Sequence, residues 1–150
     1  VIVAEGAVVK AGSYVEGPVY VGPKCVVGPN CHLRPGTVLL EGCKVGNAVE
    51  IKASLLMAGT HVAHLSYVGD SVLGERVNFG AATVVANLRH DGKTISVTHD
   101  GARVDTGRRK LGVIAGDDVH TGINTSLNVG VVLPAGASTR PGEVVMRSPP

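Results

Sequence analysis

The chain has 150 residues, of which 44% are hydrophobic but only 3% aromatic, with one Phe, no Trp, 21 Gly and 8 Pro. Its formal net charge of +2 is too small for a nucleic-acid surface, and the like-charged run in "GRRK", 107–110, reads as a solvated loop. No apolar stretch approaches the ~20 residues that cross a bilayer, so neither nucleic acid nor a membrane is an expected partner.

One domain with its own core is expected, since the aliphatic content argues against disorder. A core with so few rings must be narrow. From the first residues onward, aliphatic side chains recur every sixth position: Val3, Val9, Val15, Val21, Val27, Leu33, Leu39, Val45 and Ile51. Four residues after each comes a mostly small side chain: Ala7, Ser13, Val19, Cys25, Cys31, Thr37, Cys43 and Val49. One residue drops out after Ile51, and the frame resumes at Leu56, Val62 and Val68. A second drops out before Leu73, Phe79 and Val85. Residues 88–112 break the pattern, which returns at Ala115, Thr121, Leu127, Leu133, Thr139 and Val145.

A helix would repeat near 3.6 residues and a lone strand near 2. A period of six, with one large and one small inward side chain, describes one side of a solenoid. Three sides make a triangular coil of 18 residues, and coils stack at the ~4.8 Å spacing of parallel strands. The sequence thus predicts an all-β fold, a parallel β-helix shaped as a triangular prism. Coils occupy 1–87 and 113–147, and one long, structureless loop, 88–112, is ejected between them. A loop of that length in a compact domain is usually functional. Because Val1 already lies inside a repeat, the chain is expected to be part of a longer protein.

Cys25, Cys31 and Cys43 form no metal pattern and are odd in number, which points to a reducing, cytoplasmic setting. Cys25 and Cys43, 18 residues apart, should stack inward as reduced thiols.

Polar chemistry gathers at outward positions. Arg34 and Lys52 are also 18 residues apart, so the coil stacks two cations on one side. A phosphate between them would relieve their repulsion, and so would nearby Glu50 acting without any ligand. "HVAHLSYVGD", 61–70, holds His64, Ser66, Tyr67 and Asp70. His64 reads either as a surface residue or as a general base, and His61 as a repeat residue near a corner. A zinc site built on the two histidines would need a third from an adjoining chain. Asn78 and Asn87 can meet a sugar or an amide through donor and acceptor groups, or can cap turns.

The hexapeptide repeat resembles the left-handed parallel β-helix family, and the left hand is carried over from that family. Within it, "LRPGTVLLEGCKVGNAVEIKAS", "AHLSYVGDSVLGERVNFGAATVVANLRHDGK" and "GDDVHTGINTSLNVGVVLPAGA" resemble the acetyltransferase domain of bifunctional sugar-1-phosphate nucleotidylyltransferase/acetyltransferases, of archaeal type. The resemblance implies N-acetylation of an amino-sugar 1-phosphate by acetyl-CoA, in a homotrimer with sites between protomers and no metal. It makes Arg34 and Lys52 a phosphate clamp, His64 the general base, and Tyr67 and Asn78 sugar-binding groups. Asn87 lines the amine end, Lys93 adds a substrate contact from the loop, and Ala81 offers backbone to acetyl-CoA.

A histidine titrates near neutrality and can take the proton released when an amine attacks a thioester. The backbone near Ala81 or the side chain of Asn87 would stabilise the oxyanion. The chain departs from the family pattern at Ile123 and Pro141, on the coenzyme side. It also lacks the Gly-rich nucleotide loop of the nucleotidylyltransferase half. Two alternatives stand beside this one: a silent solenoid that trimerises and regulates a nucleotidylyltransferase, and a zinc-dependent hydratase of the same fold.

Overall fold

The structure, a computed structural model, describes residues 1–149. Parallel strands of two to four residues stack into three sheets, one on each side of a prism. The first side begins with Ile2–Val3 and Val19–Val21 and ends with Val132–Leu133. The second runs from Val8–Val9 to His120–Thr121, and the third from Tyr14–Val15 to Val144–Val145. The first and third sides have seven strands and the second has six.

From Val21 to Leu133 the six-residue frame is the buried set, whereas Val3 and Val9 of the first coil are 48% and 42% exposed and Val15 and Thr139 are half-buried. Val21, Val27, Leu33, Leu39, Ile51, Leu56, Val62, Val68 and Leu73 are fully buried, and Phe79, the one aromatic ring of the core, is 1% exposed. The small residues also point inward, and many carry a hydroxyl. Thr37 Oγ1 donates to Arg34 O at 2.7 Å, Thr60 Oγ1 to Gly74 O at 2.6 Å and Thr83 Oγ1 to Gly80 O at 2.7 Å. These hydroxyls give partners to corner carbonyls, and Gly80 O accepts Thr83 N at 3.2 Å as well. Cys25 and Cys43 take the same position, with Sγ 2.9 Å from Leu40 O and 3.1 Å from Met57 O respectively, and all three thiols are free. Burial pushes the Cys31 thiol above its ordinary value.

The two dropped residues shorten one corner. Leu39 pairs with Leu56 and Leu56 with Leu73, a step of 17 where the first coils step by 18. Both shortened turns lie between the third and first sides, where Ala53 and Asp70 adopt positive φ of 46° and 52°. Serines link the shortened turns to the coils beyond. Ser71 N donates to Ser54 Oγ at 3.0 Å, and Val113 N donates to Ser71 Oγ at 3.0 Å.

The segment 88–112 is not structureless, which corrects the expectation. It carries an antiparallel hairpin, Ser96–His99 with Ala102–Asp105. The turn is Asp100–Gly101, both at positive φ (48° and 74°), the dipeptide that two-residue hairpin turns favour. Ile95, 1% exposed, anchors the hairpin over Gly130. A Cβ there would lie 2.8 Å from Ile95 Cγ2 and 2.7 Å from Ser96 O. The segment returns where it left: Leu111 N donates to Asn87 O at 3.1 Å and Gly112 N to Asp70 O at 2.8 Å.

Candidate active site

The third side and its exit corner gather Arg34, Lys52, Tyr67 and Asn87. The register explains why. Leu33 pairs with Ile51, which places Arg34 over Lys52, and Lys52 in turn pairs with Gly69. The two cations do not face an empty gap, because each has its own carboxylate. Arg34 Nη1 donates to Glu50 Oε1 at 2.8 Å, and this bond holds the guanidinium above its ordinary pKa. Lys52 Nζ lies 3.1 and 3.0 Å from the two oxygens of Asp70. The second pair is the sheltered one, with side chains 20% and 7% exposed against 38% and 39% for Arg34 and Glu50.

Asp70 extends the cluster. Asn87 Nδ2 donates to Asp70 Oδ2 at 2.6 Å and to the Tyr67 hydroxyl at 3.1 Å. The Tyr67 ring reaches that corner across Gly69. A Cβ at Gly69 would stand 2.6 Å from both Tyr67 OH and Asn87 Nδ2. The glycine therefore leaves the space the ring occupies.

The second side holds the other half of the predicted set. His64 ends the strand His61–His64, which pairs with Lys44–Asn47 and runs two residues longer than the neighbouring strand Asn78–Phe79. The extension carries His64 to the corner with the third side. There its carbonyl accepts from Ser66 Oγ at 2.7 Å and Ala82 N at 3.1 Å. Its imidazole is exposed and makes no hydrogen bond among the described residues. Leu65 at φ 52° turns the chain just after it. Asn78 stands outward between His61 and His120. Burial, aided by Lys44, pushes the His61 imidazole below its ordinary pKa. Ala81 is half-buried, and its carbonyl accepts Asn124 N at 2.8 Å.

One chain therefore presents two half-sets. Arg34, Lys52, Tyr67 and Asn87 share one corner, while His64, Ala81 and Asn78 lie on the second side and its exit corner. The third side separates the two corners by roughly 15 Å, five residues of extended chain. Lys93 joins neither set: it is exposed on the loop, its backbone N donating to Asp91 Oδ1 at 3.2 Å. No group of three or more His, Cys, Asp or Glu suited to a metal ion occurs among the described residues. The described residues form no helix long and apolar enough to cross a membrane.

Asp70 is grouped with His64, Ser66 and Tyr67 in the sequence but given no role there. A signal for it existed, since Arg34, Lys52 and Asp70 follow one another at intervals of 18. The shortened coil places Gly69, rather than Asp70, opposite Lys52. Asp70 then swings to the corner and meets the lysine with its side chain.

Stacked hexapeptide coils with polar groups collected at the corners define a hexapeptide-repeat protein, and solved structures share this parallel β-helix. One is a hexapeptide transferase family protein from Anaplasma phagocytophilum, with TM-score 0.64 and 13% identity over 99% of this chain and 74% of that one. Another is the polysialic acid O-acetyltransferase OatWY, with TM-score 0.63 and 17% identity over 99% of this chain and 76% of that one. More narrowly, the chain belongs to the GMPPB C-terminal domain family, whose profile matches residues 15–140.

Curated relatives include a bifunctional sugar-1-phosphate nucleotidylyltransferase/acetyltransferase of Sulfurisphaera tokodaii, 52% identical over 111 residues. That alignment covers 74% of this chain and 28% of the relative. The bifunctional protein GlmU of Methanococcus maripaludis is 56% identical over 131 residues, 87% of this chain and 32% of the relative. The chain thus spans about a third or less of the length of these relatives.

Proposed function

We propose that this chain catalyses acetyl-CoA-dependent N-acetylation of an amino-sugar 1-phosphate, glucosamine-1-phosphate or galactosamine-1-phosphate, by direct transfer. The observation that carries the reading is the exposed His64 imidazole, held at a corner by its backbone and not engaged by any side chain among the described residues. A general base needs such a free nitrogen within reach of the amine it deprotonates. The names of the relatives, which combine sugar-1-phosphate nucleotidylyl transfer with acetyl transfer, support the substrate class.

In this reading Arg34 and Lys52 receive the phosphate. Arg34 engages Glu50 through one nitrogen of a five-donor fork, and Lys52 exchanges part of its contact with Asp70 for the ligand. Tyr67 and Asn78 bind the sugar, and Asn87 the amine. The backbone at Ala81 faces the thioester, and Lys93 reaches the sugar phosphate from the loop. The half-sets, on different sides of one prism, become one site when the second side of one protomer meets the third side of its neighbour. A homotrimer supplies three such clefts, and a cytoplasmic location suits both acetyl-CoA and free thiols. The Cys thiols are buried, so no covalent acyl-enzyme on sulfur is invoked. No metal is assigned a role.

A second reading, a silent trimerising solenoid that regulates a nucleotidylyltransferase, draws on the carboxylate partners of Arg34 and Lys52, which complete both cations without a ligand. Thiol release from acetyl-CoA separates the two. Turnover with either amino-sugar 1-phosphate, lost by about 10²-fold or more in His64→Ala, is expected. Undiminished turnover in His64→Ala refutes the base assignment. A trimer inactive with both sugars supports the scaffold.

A further inference from the structure

The polar groups of Asp70 are engaged throughout. Its N donates to Lys52 O at 2.9 Å, and its O accepts Gly112 N at 2.8 Å. Both side-chain oxygens meet Lys52 Nζ, and Oδ2 also accepts from Asn87. A carboxylate only accepts, so the Asn87 atom 2.6 Å away is the amide nitrogen and not the oxygen. That nitrogen has two hydrogens. One goes to Asp70 and the other to the Tyr67 hydroxyl. Asn87 therefore has Oδ1 left to offer a ligand. Tyr67, whose oxygen accepts from Asn87, keeps its own O–H to donate.

We propose that Asp70 is a positioning residue that locks the Asn87 amide with Oδ1 toward the ligand. The site then meets the substrate's amino group with an acceptor at Asn87 and its oxygens with a donor at Tyr67. The inference rests on the acetyl-transfer reading and revises one part of it. Asn87 does not stabilise the oxyanion, because both of its donors are engaged within the chain, so that task falls to Tyr67 O–H or to backbone near Ala81. An amine whose N–H is held by Oδ1 turns its lone pair away from Asn87, as a nucleophile must.

The test is Asp70→Asn. Asparagine tolerates the positive φ at this position and keeps the shape of the side chain, but it can donate and so lets the Asn87 amide reverse. The expected result is a kcat lower by about 10²-fold, the scale of a misplaced reacting group. KM for the sugar phosphate should be unchanged or lower, since Lys52 loses the carboxylate that competes with phosphate. The exchanged pair Asp70→Asn with Asn87→Asp reverses the bond, with the donor now at 70, and keeps an accepting oxygen of residue 87 toward the ligand. It should therefore recover about tenfold of the lost kcat, short of the wild type because residue 87 no longer donates to the Tyr67 hydroxyl. A KM that rises with the fall in kcat, or an exchanged pair no better than Asp70→Asn alone, overturns the proposal.

A readout independent of turnover is hydrogen exchange of the Asn87 side-chain amide by NMR. It should be slow in the wild type and accelerated at least tenfold in Asp70→Asn, as expected once its acceptor-only partner is gone. Exchange at the solvent rate in the wild type removes the positioning role even if the chain acetylates sugars. Slow exchange in a trimer that turns over neither sugar leaves the positioning intact and overturns only the acetyl-transfer reading.

Discussion

Replacing Lys52 by Met tests whether the site corner is also a structural knot. Lys52 and Asp70 are 20% and 7% exposed, with two N–O contacts of 3.0 and 3.1 Å. Taking away the ammonium leaves a nearly buried carboxylate whose remaining side-chain partner is Asn87 Nδ2. Breaking a buried pair from one side costs about 3–5 kcal/mol. Lys52 retains some water, and Asp70 keeps one strong donor, so a loss of about 2–3 kcal/mol is expected here. For a chain of this size that corresponds to a fall in Tm of about 5–10 °C. Lys24 and Glu41 make the control. Their contact is shorter, at 2.6 Å, but they are 76% and 56% exposed, so Lys24→Met should leave stability unchanged. The assay is urea denaturation of Lys52→Met, Asp70→Asn, the double variant and Lys24→Met. The double variant should be more stable than the sum of the singles by about 1–2 kcal/mol. If Lys52→Met costs no more than Lys24→Met, or if the two changes add, burial does not govern this pair and the reasoning fails.

Gly69→Ala should lower kcat about tenfold or more, because the added methyl meets Tyr67 OH and Asn87 Nδ2, each at 2.6 Å, and the ring carbon Tyr67 Cζ at 2.9 Å, and so displaces the ring and the amide. Steady-state kinetics beside a melting curve checks it, and unaltered kcat would show that the Tyr67 ring is not held over Gly69 for function. Burial and Lys44 depress the folded pKa of His61 below its ordinary value of 6.5, so near and below that pH the unfolded chain binds more protons than the folded one. Stability should therefore fall as pH drops from about 6.5 toward the folded value, and His61→Gln should flatten Tm against pH across that window; identical profiles would refute the assignment.

The coils were legible because the inward frame is a hard constraint. A prism without room for rings must repeat its large and small side chains in phase, and losing one residue shows at once as a shift from Ile51 to Leu56. The same phase shows which side each candidate occupies. Arg34, Lys52 and Asn87 follow third-side residues Leu33, Ile51 and, two positions on, Val85, whereas Asn78 precedes the second-side residue Phe79. The separation into two half-sets was thus present in the spacing. Side-chain reach was not, since no periodicity says that Tyr67 lies across Gly69 or that Glu50 takes Arg34. The hairpin was missed for a different reason: its Asp100–Gly101 turn is a local signal, and attention to the period discards whatever falls outside it.

Asp70 shows how the two kinds of information meet. The frame deletion records a shortened corner, and a shortened corner needs a residue at positive φ. An aspartate accepts that conformation better than most side chains. Once there, its backbone receives the returning loop at Gly112, and its carboxylate ties Lys52 to Asn87. The irregularity in the repeat is therefore the device that brings a cation, an oriented amide and a phenol to one corner of an otherwise aliphatic prism.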